Sequence, residues 1–143
     1  IDELRKTYWR ILFPAIAALL LAYPIKKIGL IPLQHSLPLN VITPFFFVLA
    51  VFFAIALPIF NRSRFVNKIR KQKSVSKKLL INFERQLIII SLVPSYMVII
   101  AYCLSFSNFY FSSIVLVALY SAYYFYPSKK RIQFEKNLFR VQE

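Results

Sequence analysis

Two long stretches of this chain contain no Asp, Glu, Lys or Arg: 34 residues between Lys27 and Arg62, and 43 between Arg85 and Lys129. Phe, Ile, Leu, Val, Ala and Tyr dominate both. A helix needs about 20 predominantly apolar residues to cross a bilayer, so the second stretch has room for two crossings. A chain of 143 residues that is 59% hydrophobic, with mean hydropathy +0.59, has too little soluble core to hide so much apolar surface. The predicted fold class is an all-α integral membrane protein. It forms one membrane domain over residues 1–143, a four-helix transmembrane bundle with amphipathic helices on the cytoplasmic face.

The spans fall at about 11–25, 41–60, 87–105 and 109–126. The first is short, about 22 Å at 1.5 Å per residue, against a hydrocarbon core of about 30 Å. Trp9, Arg10 and Lys26 are therefore expected at the interfaces with their stems snorkelling. Pro44 and Pro58 fall in the first and last turns of the second span, where proline costs least. Pro127 stops the fourth. Ser105, Phe106, Ser107 and Asn108 form the turn signal within the longer run, so spans three and four should make a tight helical hairpin.

Charge is sorted along the chain as strongly as hydropathy. Lys and Arg number three before the first span, two in the first loop, nine in the basic loop 61–86, none in the third loop and five in the basic tail 127–143. That bias puts both termini on the cytoplasmic side, by the positive-inside rule. The expected location is the bacterial inner (plasma) membrane, and Arg5, Lys6 and Arg10 read as a retained cytoplasmic flank rather than a mature exported end. Tyr8, Trp9, Tyr123, Tyr124 and Tyr126 then fall at the inner interface, and Tyr23 and Tyr110 at the outer one. The formal charge of +14 goes with flanks of apolar spans, which points to anionic phospholipid as partner and disfavours nucleic acid.

The acids are Asp2, Glu3, Glu84, Glu135 and Glu143, and each lies outside the predicted spans. Ion-coupled transporters keep an ionisable group at membrane depth, because a transported charge needs a partner there. The inventory thus argues against a small proton-coupled exporter. A single glycine, Gly29, leaves no Gly-rich filter or phosphate loop. Cys103 is the lone cysteine and His35 the lone histidine. Neither has a neighbour with which to form a metal site, and His35 reads as a polar residue at the membrane boundary. The outer loop around it is apolar, with Leu30, Ile31, Leu33 and Leu37 broken by Pro32 and Pro38. It is expected to lie in the outer interface or dock against another subunit.

Pro94, midway along the third span, should kink that helix, with Ser91 and Ser95 satisfying the freed carbonyls. Each span has small residues four apart: Ala18/Ala22, Ala50/Ala54, Ser91/Ser95 and Ala118/Ala122. Such pairs let helix backbones approach closely. Phe45, Phe46, Phe47, Phe52, Phe53, Phe111 and Phe125 are left for lipid, pigment or a partner's helices.

The segment 62–78 carries Arg62, Arg64, Lys68, Arg70, Lys71, Lys73, Lys77 and Lys78 with no acid. Phe65, Ile69, Leu79, Leu80 and Phe83 recur through and beyond it at helical spacing. A helix on the membrane surface fits, apolar face down and cations toward anionic headgroups or an acidic partner. The tail repeats the pattern with Lys129, Lys130 and Arg131 around Phe134, Leu138 and Val141, and Ser128 is the expected N-cap of a short interfacial helix. No catalytic residue, metal site or cofactor is assigned. The functional expectation is a non-enzymatic accessory subunit of a larger membrane protein complex, with other integral membrane subunits as partners. The alternative is a small transporter or flippase for an anionic lipid or lipid-phosphate carrier.

Overall fold

A computed structural model describes residues 1–29, 38–71 and 75–141. His35, most of the apolar outer loop and Lys73 lie outside the described residues. The described residues form seven α-helices: α1 (Asp2–Lys27), α2 (Leu39–Val51), α3 (Leu57–Ile69), α4 (Lys77–Ser91), α5 (Val93–Cys103), α6 (Asn108–Tyr124) and α7 (Lys129–Leu138). A π-helical turn, Phe52–Ala56, joins α2 to α3. Three helical units are long and apolar enough to cross a membrane, namely α1, α2–α3 (Leu39–Ile69) and α4–α5 (Lys77–Cys103). A fourth follows if α6 and α7, bent by 69° at Pro127, count together.

Each helical unit outruns its apolar stretch. α1 takes in the Arg5–Arg10 flank and reaches 26 residues, about 39 Å, although its uncharged portion is still 11–25. The helix begun at Leu39 does not stop at Pro58 but continues to Ile69, 31 residues in all, about 46 Å. Pro58 has no N–H, and a regular helix would leave the Ala54 carbonyl without a partner. The wide turn immediately before it, where the Leu57 N–H reaches the Phe52 carbonyl, accommodates the defect.

Between the uncharged segments the chain packs antiparallel, with small residues where helices meet. Ala50, Ala54, Ala101 and Ala118 are buried, together with Met97, Val98 and Ile114. α5 and α6 form the expected hairpin. Its turn passes through Ser105 at φ 55°, and the Phe106 N–H closes on the Ala101 carbonyl, 3.2 Å away. At that end Lys26 Nζ donates to the Tyr102 carbonyl at 2.9 Å and lies 4.5 Å from its ring centroid. A cation there suits the C-terminus of α5.

The α4–α5 break falls at Leu92, and Pro94 opens the new helix. The carbonyl that the break releases is that of Ser91, because the Ser95 N–H turns to Leu92. Its donor is the hydroxyl of Ser121 on α6, not a serine of the same helix. The kink is therefore stabilised from a neighbour, and Ser91 and Ser121 are both fully buried. Tyr8 and Tyr96 are likewise used between helices, donating to the carbonyls of Ala122 (2.8 Å) and Ile11 (2.7 Å). Tyr8, expected at the interface, is buried. Ser121→Ala should lower stability by about 1 kcal/mol, the scale of one interhelical hydrogen bond in a membrane protein. Reversible unfolding in mixed detergent micelles measures it, and an unchanged midpoint would remove the bond from the account.

Candidate functional site

Apart from Lys26 and Lys27, the charged residues gather at one end of the bundle, where α3 and α4 project beyond the uncharged segments and α7 packs on them. Their apolar residues form a second core. Phe65 and Phe83 stack at 4.0 Å between ring centroids with planes 11° apart, and Phe139 closes edge-on to Phe65 at 5.1 Å. Ile69, Val75, Leu80, Leu87 and Phe125 complete the cluster. The expected surface helix, apolar side toward lipid, is thus replaced here by two helical extensions that turn Phe65, Ile69, Leu80 and Phe83 inward on each other. Helical periodicity marks an apolar face but not what covers it.

α7 begins as its sequence indicates, with the Ser128 hydroxyl accepting from the Arg131 N–H at 3.2 Å. It buries Ile132 and Glu135, followed by Phe139 just past its end, and leaves Phe134 and Leu138 exposed. Two ion pairs fasten it. Arg131 Nη2 meets Glu84 Oε2 of α4 at 2.8 Å, and Glu135 Oε1 receives Arg62 Nη2 of α3, also at 2.8 Å. Both carboxylates are almost completely buried. Each pair is a single charge-assisted hydrogen bond, and Glu84 Oε1, Glu135 Oε2 and Arg131 Nη1 have no protein partner. Glu84 stands before the uncharged stretch that opens after Arg85. Burial pushes its carboxyl up from the ordinary value; Arg131 and Arg62 pull it down, and Glu135 pushes it up. A third pair, Arg85 with Glu3 at 3.7 Å, is exposed on both sides.

The cations expected to meet headgroups or a partner therefore divide. Arg62 and Arg131 are engaged inside the protein. Arg70, Lys71, Lys77, Lys78, Lys129 and Lys130 are exposed. Lys77, Lys78, Lys129 and Lys130 occupy the first turns of α4 and α7, where the helix dipole opposes positive charge. Arg64 lies over the Phe60 ring at 5.7 Å. With Lys68 it edges a groove of about 580 Å³ between α3 and α4, to which Asn61, Asn82 and Gln86 add amides. A smaller cavity of about 220 Å³ lies beside the ion pairs, with Arg62, Arg131 and Glu135 among its walls. The sequence places Glu84 and Glu135 outside the spans but assigns them no partner, and it gives the amides no role. The signals were present: Asn82 and Gln86 lie four apart on one helix, and Glu84 and Glu135 are acids set among cations.

Among the described residues, no group of three or more His, Cys, Asp or Glu side chains is placed to hold a metal ion. Compared with known proteins, the chain matches no family model, no curated protein and no solved structure.

Arg131→Ala leaves Glu84 buried without its cation and should cost about 3 kcal/mol. Replacing both members by leucine should recover most of that loss, since Glu84 no longer leaves an unpaired buried charge. Arg85→Ala should change stability by less than about 0.5 kcal/mol, because its pair is solvated. Denaturation midpoints of the variants, with limited proteolysis of the C-terminal segment, check the ranking; equal effects of Arg131→Ala and Arg85→Ala would contradict it.

Proposed function

We propose that this chain is a non-enzymatic accessory subunit of a larger membrane protein complex. In this reading it crosses a bacterial inner membrane four times, with both termini and the basic end in the cytoplasm. The observation that carries the proposal is how little α1 and α2 bury within the chain itself. Along the most apolar stretch of α1 17% of residues are buried, and along that of the α2–α3 unit 22%, against 44% for α4–α5. Lipid tails are as apolar as the side chains, so helices in a bilayer are held by close packing and interhelical hydrogen bonds. A helix packed this thinly gains from a neighbour in another chain. Phe13, Leu20 and Leu21 on α1, and Phe45 and Val48 on α2, form the exposed faces on which such a neighbour would sit.

Purification of the tagged full-length protein from its native membrane in mild detergent, with mass spectrometry of proteins eluting at equal stoichiometry, tests this reading. The expected result is a defined set of integral membrane partners. Elution alone or as a homo-oligomer would sink it.

The second reading, a flippase for an anionic lipid or lipid-phosphate carrier, draws on the basic groove between α3 and α4. It requires lipid movement in proteoliposomes that Arg64→Glu abolishes. Arg64 suits the test because Arg62 is committed to Glu135, and its reversal would also disrupt the fold. Scrambling at the protein-free rate, expected for an accessory subunit, would exclude the flippase.

A further inference from the structure

We propose that the groove between α3 and α4 is a binding site for the phosphate headgroup of an anionic membrane phospholipid. The site is distinct from the diffuse basic surface, and it holds whether or not the chain serves a larger complex. Asn61, Arg64 and Lys68 recur at helical spacing along α3, and Asn82 and Gln86 do so along α4. Phe65, Phe83 and Leu79 also line the groove, and the two phenylalanines are a stacked, buried pair that fixes the distance between the rims. The rims therefore stand on a packed base and are not carried by a loose loop.

The chemistry of the lining selects the ligand. Two cations and three amides face a groove that no carboxylate lines among the described residues. The nearest acid in sequence, Glu84, is buried and committed to Arg131. A phosphate diester offers oxyanions to the guanidinium and the ammonium. Amides can also donate to its ester oxygens or exchange hydrogen bonds with headgroup hydroxyls. The groove's location favours a lipid over a soluble ester. Asn61 and Gln86 lie at the ends of the two uncharged segments, and the exposed ring of Phe60 adjoins Arg64. A headgroup can enter there while its acyl chains stay against apolar helix surface. Lys68 lies about two turns farther from the apolar region, about 10 Å at 1.5 Å per residue, within reach of the outer part of a headgroup.

The test is titration of the detergent-solubilised full-length protein with phosphatidylglycerol or phosphatidylcholine, read by native mass spectrometry. Variants are accepted when their circular dichroism and elution match the parent. The parent should prefer phosphatidylglycerol. Arg64→Gln with Lys68→Gln should weaken that binding at least about tenfold, the equivalent of one charge-assisted hydrogen bond. Asn82→Leu with Gln86→Leu keeps the net charge and should weaken it several-fold. Lys129→Gln with Lys130→Gln removes the same charge elsewhere and should leave it almost unchanged. Equal losses in the two charge-removing variants, or no loss in the amide variant, would reduce the site to general electrostatics and overturn the proposal. Binding of sn-glycerol 3-phosphate without preference for the anionic lipid would overturn the lipid assignment.

Discussion

Arg131 and Glu135 sit one turn apart on α7, and each reaches a different helix. Arg131 meets Glu84 on α4, and Glu135 meets Arg62 on α3. The two attachments run in opposite electrical senses, so neither can be exchanged for the other without placing like charges together. Orientation of the last helix is fixed by that asymmetry. The arrangement also explains why strongly basic segments collapse onto each other: their buried carboxylates offset part of the repulsion where the helices meet. Buried pairs of this kind add little net stability, and their contribution here is to register α7 against α3 and α4.

Two physical regimes meet along the same helices. With the uncharged segments in a bilayer, as proposed, side chains there exchange one apolar surrounding for another, and contact quality and hydrogen bonds decide which helices touch. Small residues and tyrosine–carbonyl bonds do this for α1, α2, α5 and α6. Beyond them, Phe65, Phe83 and Phe139 are within reach of water, and the hydrophobic effect drives their burial. The aromatic residues serve accordingly: many are exposed along α1, α2 and α6, while Phe65, Phe83, Phe125 and Phe139 of the basic end lie inside. Lysines at the starts of α4 and α7 oppose the helix dipole. Their placement therefore does not serve helix stability.

Much of the helical organisation was legible in the sequence. The uncharged runs located the apolar helices, Ser105–Asn108 located the α5–α6 turn, Ser128 located the start of α7, and the four-residue spacing of alanines marked positions of close approach. The helix ends were less legible, because a charged residue ends an apolar window without ending a helix. Arg10, Arg62 and Arg85 all lie inside continuous helices. The basic end was misjudged for a related reason. An amphipathic helix on a membrane and one packed on another helix share the same period, and only the contact partners of Phe65 and Phe83 distinguish them. The spacing of Asn82 and Gln86 put them on one helix face, but the amides became a candidate site only once α3 and α4 brought them to facing rims.

The wide turn at Phe52–Ala56 has a consequence for the whole of the 31-residue helix that contains it. Its buried positions run Thr43, Ala50, Ala54, Pro58, Phe65 and Ile69. Across the 26 steps from Thr43 to Ile69, a regular helix turning about 100° per residue would carry that stripe roughly 80° around its axis. One residue absorbed by the wider turn brings the drift to roughly 20°. The bulge is thus a phase correction. It lets one continuous rod present the same side to its neighbours both within the uncharged segment and at the basic end.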